Sequence, residues 1–301
     1  MKAPTPPATV TASWSGTLTA LSSVAHGGQT RGTITLLRRE QLLVHGHLIH
    51  VPIVSGNSWR GRLRRIGEEL TREVLGYEGQ LSLAAAHALR GGGSLVKTSG
   101  EPLSGSRLRQ ARALLPQLAV FGGAVGRTID GALQVGKLIP HIAETEHLTG
   151  YPGPPGLGAT QLESYTRVDD STTADVATLT ATPLHPDGQV DEHALLALDE
   201  RSLAGAGSIV YRVESFPAGT TFSTWLRLER VTPLVLAFFT DVLAEFDARG
   251  RVGGRVAIGH GQVRATWEHA TRPEQLPELP DWRAHLLAHR GEVLDVIKGL
   301  G

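Results

Sequence analysis

The sequence contains no cysteine and no long, uninterrupted hydrophobic run. The lack of cysteine excludes disulfide bonds, zinc and iron–sulfur sites with thiolate ligands, and a cysteine nucleophile. The most apolar stretch, Thr232 to Phe246, contains Asp241 and Glu245 and falls short of a membrane span. The first ten residues, MKAPTPPATV, lack the apolar core of a signal peptide. We therefore expect a cytoplasmic protein with no membrane partner.

Glycine and proline, by contrast, are abundant, with 36 and 17 copies among 301 residues. Both interrupt regular structure, so they favour a fold rich in strands and loops over a helical bundle.

Charge is balanced overall but divided unevenly along the chain. Residues 1–140 carry 16 Lys and Arg against 7 Asp and Glu, whereas residues 141–301 carry 13 against 22. One interpretation is chance combined with solvated surfaces. The other is an anion-binding front and an acidic back, which also favours head-to-tail stacking of copies.

The hydrophobic pattern predicts both strands and helices. Alternation predicts strands over residues 14–24, 32–37, 42–50 and 262–267, with a loop at 26–29 and a β-hairpin over 209–228 that turns at 217–219. Helical spacing predicts helices over 57–75, 107–120, 233–246 and 281–298. We therefore predict an α+β fold with a ferredoxin-like or RRM-like core and large insertions. Residues 1–10 are expected to form a disordered leader, residues 11–301 a single domain, and residues 76–150 a helical insert.

The first motif is the run VSGNSWRGRLRR, residues 54–65. A Ser-Gly turn leads from a strand into a helix, so free backbone N–H groups, hydroxyls and four arginines are close together. Such a helix start can bind phosphate. The alternative is an ordinary capped helix with a solvated basic face.

The second motif is the glycine-rich run VGGRVAIGHGQV, residues 252–263. Its glycines allow close backbone approach. It follows a helix and precedes a strand, whereas a dinucleotide-binding loop has the opposite order.

Together the two motifs resemble those of the RAMP superfamily of CRISPR-associated proteins. The segments from Phe121 to Pro140 and from Arg167 to Ala174 look like those of the backbone subunit of type IV effector complexes. The resemblance spans roughly residues 15–267. It implies a subunit that grips guide RNA (crRNA), stacks with copies of itself, joins other effector subunits and reaches target nucleic acid by way of the guide. It also implies a protruding thumb at about residues 150–186.

The resemblance, read with the two motifs, predicts the residues that contact RNA. They are His26, Gln29, Arg38, Ser55, Gly56, Asn57, Ser58, Arg60, Arg62, Arg64, Arg65, Lys137, Arg167, Arg255 and His260.

Cleavage is not expected. Relatives that cut RNA carry an aspartate in the loop after the first strand, whereas here this loop, AHGGQT at residues 25–30, has no carboxylate. Acid–base or metal-assisted cleavage needs such a group near the scissile phosphate. If a neighbouring acid substitutes for it, the candidates are Asp169, Asp170 and Asp175.

Alternatives remain open at this stage. One is a RAMP-type endoribonuclease that processes guide precursors, with His26 or another histidine as general acid or base. Another is an unrelated α+β metabolic enzyme. The histidines at 45, 47 and 50 have no adjacent acidic ligand, so surface or RNA-contact roles are favoured over metal binding. We predict no catalytic residues, no metal and no cofactor.

Overall fold

A computed structural model describes residues 8–93, 105–125, 127–156, 159–166, 210–269 and 277–300. Arg167 and most of the predicted thumb lie outside these residues, as do Asp169, Asp170 and Asp175. The predicted leader overlaps the described part only at residues 8–10, where the first strand begins.

The described strands and helices are as follows. The strands are β1 Val10–Ala20, β2 Gly27–Arg31, β3 Ile34–Leu37, β4 Arg39–Val44, β5 His47–Pro52, β6 Gly123–Val125, β7 Arg127–Ile129, β8 Leu133–Val135, β9 Ile139–Pro140, β10 Gln161–Thr166, β11 Val210–Ser215, β12 Thr221–Val231 and β13 Val263–His269. The helices are α1 Gly56–Leu75, α2 Leu83–Gly91, α3 Gly105–Leu114, α4 Pro116–Phe121, α5 Glu146–Thr149, α6 Pro233–Arg249, α7 Trp282–Ala288 and α8 Arg290–Lys298.

The main sheet is antiparallel with the order β13-β1-β12-β8, and β9 also pairs with β12. Helix α1 lies between β1 and β8 in the chain, and α6 lies between β12 and β13. This βαββαβ arrangement is the ferredoxin-like core. The prediction of an α+β fold is confirmed.

Helices α1 and α6 cover one face of this sheet. Trp59 of α1 packs edge-on against Phe246 of α6, with ring centroids 4.4 Å apart. A Cβ on Gly67 would lie 2.3 Å from the Oε1 atom of Gln117 in α4 and 3.0 Å from the ring of Phe238 in α6, so this glycine lets both helices approach α1 closely. The other face of the sheet is open and carries Ser15, Thr17 and the half-exposed Trp225.

A second sheet has the order β10-β11-β3-β2, in which β11 and β3 are parallel. Strands β4 and β5 form a separate hairpin. The stretch predicted as a helical insert contains α2 to α5 together with β8, a strand of the main sheet.

Several local predictions are wrong. Strands β11 and β12 form no hairpin, because they belong to different sheets. Residues 27–29 lie in β2 rather than in a loop. The strand predicted over 42–50 is interrupted at His45 and Gly46, whose positive φ angles of 48° and 82° make the turn between β4 and β5. His45 therefore does not share a strand face with His47.

Two predicted helices are each divided. Pro116 lacks a backbone N–H and begins α4 directly after α3, and the final helix breaks at His289. None of the helices within the described ranges is long and apolar enough to cross a membrane.

Candidate nucleic-acid interface

The N-terminus of α1 forms the centre of the candidate interface. The Ser55 hydroxyl caps the helix by accepting a hydrogen bond from the Ser58 backbone N–H at 3.4 Å. No acidic residue occurs in the first turn, and Asn57 is exposed. A Cβ on Gly56 would lie 3.3 Å from the carbonyl oxygen of Val135, so the start of the helix packs tightly against β8. The positive end of the helix dipole is therefore open to an anion.

Residues 25–38 bring a second polar group to the same place. The His26 Nε2 atom lies 3.1 Å from the Ser55 hydroxyl, and the His26 carbonyl accepts a hydrogen bond from the Arg38 backbone N–H at 2.8 Å. Burial, and then the positive charge of Arg38, lower the pKa of His26. Its imidazole is therefore neutral at pH 7.

Gln29 and Arg38 are exposed and line one open pocket. Gly28 permits this close approach, because a Cβ there would lie 2.6 Å from the Arg38 Cα. Lys137 is exposed at the other side of the helix start, where Val54 pairs with Leu138, and it forms an ion pair with Glu40.

These residues lie at the start of α1 and in the segments beside it, and we name them the polar strip. It consists of Gln29, Arg38, His26, Ser55, Asn57 and Lys137.

The glycine-rich loop packs directly beside the polar strip. The Gly254 N–H donates to the Ala25 carbonyl at 2.7 Å, and the Gly261 N–H donates to the Ser23 carbonyl at 2.7 Å. Gly253 has a φ of +70°, and a Cβ there would lie 2.4 Å from the Ala25 oxygen. The two sequence motifs therefore meet at residues 23–26.

Comparison with known proteins then identifies the family. No protein-family model and no curated protein matches the sequence. A solved structure titled "Type IV-B CRISPR Complex" contains a chain that is 33% identical, with a TM-score of 0.62; the match covers 92% of this chain and 99% of that chain. The protein belongs to the type IV CRISPR-associated subunits.

The four arginines of the first motif do not lie at one site in this type IV subunit. Arg64 is only 5% exposed and donates hydrogen bonds to the carbonyls of Phe121 and Gly122. Burial, and then the charge of Arg60, lower the pKa of Arg64 to about 10. Arg60 also donates to the Phe121 carbonyl, at 3.0 Å. The Arg64 guanidinium is therefore buried against backbone carbonyls and not exposed to an anion, and its predicted phosphate contact stays a prediction.

The side chains of Arg62 and Arg65 lie in a pocket away from the polar strip. They line a pocket with Arg249 and Arg251 at the end of α6. Their contact with RNA stays a prediction.

The glycine loop contributes less exposed surface than the sequence suggested. His260 is 1% exposed, with Nδ1 3.0 Å from the Ser23 hydroxyl and Nε2 2.6 Å from the Tyr165 hydroxyl. The His260 ring is therefore enclosed by protein, and its predicted contact with RNA stays a prediction. Arg255 is half-buried over the Tyr211 ring, 5.1 Å from the centroid.

Arg31 and Arg39, which sequence reasoning missed, line the same pocket as Gln29 and Arg38. Arg39 is held by an ion pair with Glu214. Its position directly after Arg38 was a usable signal. His50, for which a surface or RNA-contact role was favoured, reaches this pocket through the β4–β5 hairpin.

The open face of the main sheet is the other missed feature. Trp225 is 49% exposed and lines a groove with Lys137 and Tyr151. Tyr151 stacks on His141 with ring centroids 4.4 Å apart. Exposed aromatic rings of this kind can stack on unpaired bases. Lys137 joins this groove to the polar strip.

Proposed function

We propose that this type IV subunit binds guide RNA along its phosphate backbone, polymerises head to tail into a helical filament, and does not cleave RNA. Membership of the family makes it a CRISPR effector-complex subunit. Its further partners are then other effector subunits, and target nucleic acid reached by base pairing to the guide.

The observation that carries this proposal is the polar strip. Side chains from β2, the β3–β4 junction, the start of α1 and the β8–β9 connection converge on one exposed surface. They offer hydroxyl, amide and cationic groups rather than a pocket shaped for one base. Contacts of this kind hold phosphates without reading sequence, as a carrier of arbitrary guides requires.

The chemistry of the strip supports binding without cleavage. Residues 25–31 contain no carboxylate. Two nearby carboxylates are already engaged, because Glu40 pairs with Lys137 and Glu214 pairs with Arg39. The uneven distribution of charge between the two halves of the chain supports head-to-tail contacts between copies.

The double variant Arg38→Ala/Lys137→Ala tests RNA binding by the polar strip. It should bind single-stranded RNA more weakly regardless of sequence. Each lost phosphate contact removes about 0.7 from the slope of log affinity against log salt, so the slope should become less steep by about 1.4. Fluorescence anisotropy at several salt concentrations measures both quantities.

The matched control is Arg283→Ala/Lys298→Ala, which removes the same charge from exposed positions on α7 and α8. It should leave the slope nearly unchanged. Equal slopes for the strip variant and the wild-type protein would contradict RNA binding at the polar strip.

A second prediction concerns pH. A phosphate beside His26 favours the imidazolium, so bound RNA should raise the lowered pKa of this residue. By linkage, affinity should increase as the pH falls below the unperturbed value of about 6.5, by about threefold to tenfold between pH 7.5 and 5.5. The variant His26→Gln should lack this increase. The same increase in His26→Gln would assign the effect to other histidines, such as His50.

An endoribonuclease is the second candidate function. The contact between His26 and Ser55, together with the lowered pKa of His26, would suit a general base. Assembled complex should be incubated with labelled guide precursor or complementary RNA in the presence of Mg²⁺ or Mn²⁺. Uncut RNA supports the carrier, whereas cuts that vanish in His26→Gln support the nuclease.

A further inference from the structure

A second group of arginines lies on the helical side of the main sheet, away from the polar strip. Five guanidinium groups, from α1, α2 and the end of α6, surround one small pocket with the side chains of Ile66 and Phe246. One carboxylate, that of Glu69, lines it with them. We name this site the arginine pocket; its arginines are Arg62, Arg65, Arg90, Arg249 and Arg251.

Two of the five arginines are neutralised within the protein. Glu69 accepts a hydrogen bond from Arg90 at 3.0 Å and also forms an ion pair with Arg249. Arg90 pairs further with Glu68, and Arg249 pairs with Glu245 at 2.6 Å. These acidic residues therefore fix the two guanidiniums, and Glu69 acts on Arg62 and Arg65 only through its charge, without a hydrogen bond.

The remaining three are Arg62, Arg65 and Arg251. None of them makes a hydrogen bond or an ion pair with a residue in the described ranges through its side chain. The Nε atom of Arg62 is buried with no partner there. Burial first, and then the charge of Arg65, lower the pKa of Arg62. Guanidiniums stay charged at pH 7, and Glu69, the one carboxylate that lines the pocket, is shared with Arg90 and Arg249, so the three positive charges are only partly compensated.

A bound oxyanion would accept hydrogen bonds from these three guanidiniums and balance their charge. Guanidinium groups donate paired N–H bonds in a fork that matches phosphate geometry, and partial burial strengthens each such bond. We propose that the arginine pocket binds a phosphate group, at an anion site separate from the polar strip. The phosphate belongs either to a nucleic-acid backbone or to a free phosphate anion. The site does not depend on guide binding by the strip.

The first experiment uses inorganic phosphate as the probe. Isothermal titration of the full chain at constant ionic strength should show binding. The variant Arg62→Ala/Arg251→Ala should weaken it at least about tenfold, because two of the three unpaired guanidiniums are removed. Should that variant fail to fold, Arg62→Gln/Arg251→Gln tests the same contacts. The control Arg283→Ala/Lys298→Ala should bind phosphate as the wild-type protein does, and the comparison is repeated in the Arg38→Ala/Lys137→Ala background so that phosphate bound at the polar strip does not contribute.

A competition experiment then separates the two sources of phosphate. If single-stranded RNA displaces phosphate from Arg38→Ala/Lys137→Ala, the pocket holds a backbone phosphate; if it does not, the pocket holds a free anion. Both results support a phosphate site. Absence of phosphate binding to the wild-type protein, or equal binding by Arg62→Ala/Arg251→Ala, would overturn the proposal. The proposal would also be overturned if the wild-type protein bound no phosphate and Arg62→Ala/Arg251→Ala lost self-association. The pocket would then bind acidic side chains of a second copy.

Discussion

Replacing Arg64 with alanine is expected to lower the free energy of unfolding by about 3 kcal/mol, because the buried Gly122 carbonyl loses its charged donor and the Phe121 carbonyl keeps only the donor from Arg60. The Arg64 guanidinium binds the carbonyls of Phe121 and Gly122 and lies 5.6 Å from the centroid of the Phe121 ring. It thereby joins α1 to the turn after α4. Urea unfolding followed by circular dichroism measures the change.

The control is Arg65→Ala, one residue along the same helix. The Arg65 side chain is half-exposed and makes no hydrogen bond with a described residue. Its removal should change the unfolding free energy by no more than about 0.5 kcal/mol. If the two variants were equally stable, Arg64 would not be a structural residue, and its side chain would be free to make the predicted RNA contact.

The second large effect is expected at the junction of the two motifs. In Gly253→Ala the new Cβ would lie 2.4 Å from the carbonyl oxygen of Ala25, at a backbone φ of +70°. The left-handed conformation alone costs about 1–2 kcal/mol for alanine, and the collision must also move the glycine loop or residues 23–26. We expect a total loss of about 3 kcal/mol in unfolding free energy. RNA affinity should fall as well, because His26 follows Ala25.

Gly259→Ala separates the two contributions. Gly259 also has a positive φ, of +93°, but nothing lies within 4 Å of its ideal Cβ position. This variant should lose only the conformational part, about 1–2 kcal/mol, and should bind RNA normally. Equal losses in the two variants would show that close packing between the glycine loop and Ala25 is not required.

The type of most main elements could be predicted from local pattern, with β8 as an exception, but the strands that pair with one another could not. The alternation of Phe222, Leu226 and Leu228 correctly indicated a strand, and Pro217 to Gly219 indicated a turn. That turn nevertheless separates two sheets. Val213 of β11 pairs with Thr35 of β3, whereas Leu226 of β12 pairs with Trp14 of β1. Both pairings join residues far apart in sequence, and alternation contains no information about them.

The residues of the candidate site also differ in how far the sequence alone predicts their surroundings. The start of α1 depends on residues within one helical turn, so the sequence was sufficient to predict it, although the capping side chain is that of Ser55 where the pattern favoured Asn57 or Ser58. The burial of Arg64 depends on carbonyls at Phe121 and Gly122, in a turn that no periodic pattern describes. The enclosure of His260 depends likewise on Ser23 and Tyr165, which belong to distant parts of the chain. Charged residues on a helix therefore needed the tertiary structure before they could be assigned to solvent or core.

The pairing of β10 with β11 has a consequence for how this protein can change over evolution. Thr166 and Val210 face each other in register at the end of that pair. The chain that connects these two residues therefore begins and ends at neighbouring positions. Because the entropy of closing a loop grows only by about 0.6 kcal/mol for each doubling of its length, a longer or shorter connection between them should cost the ferredoxin-like core little.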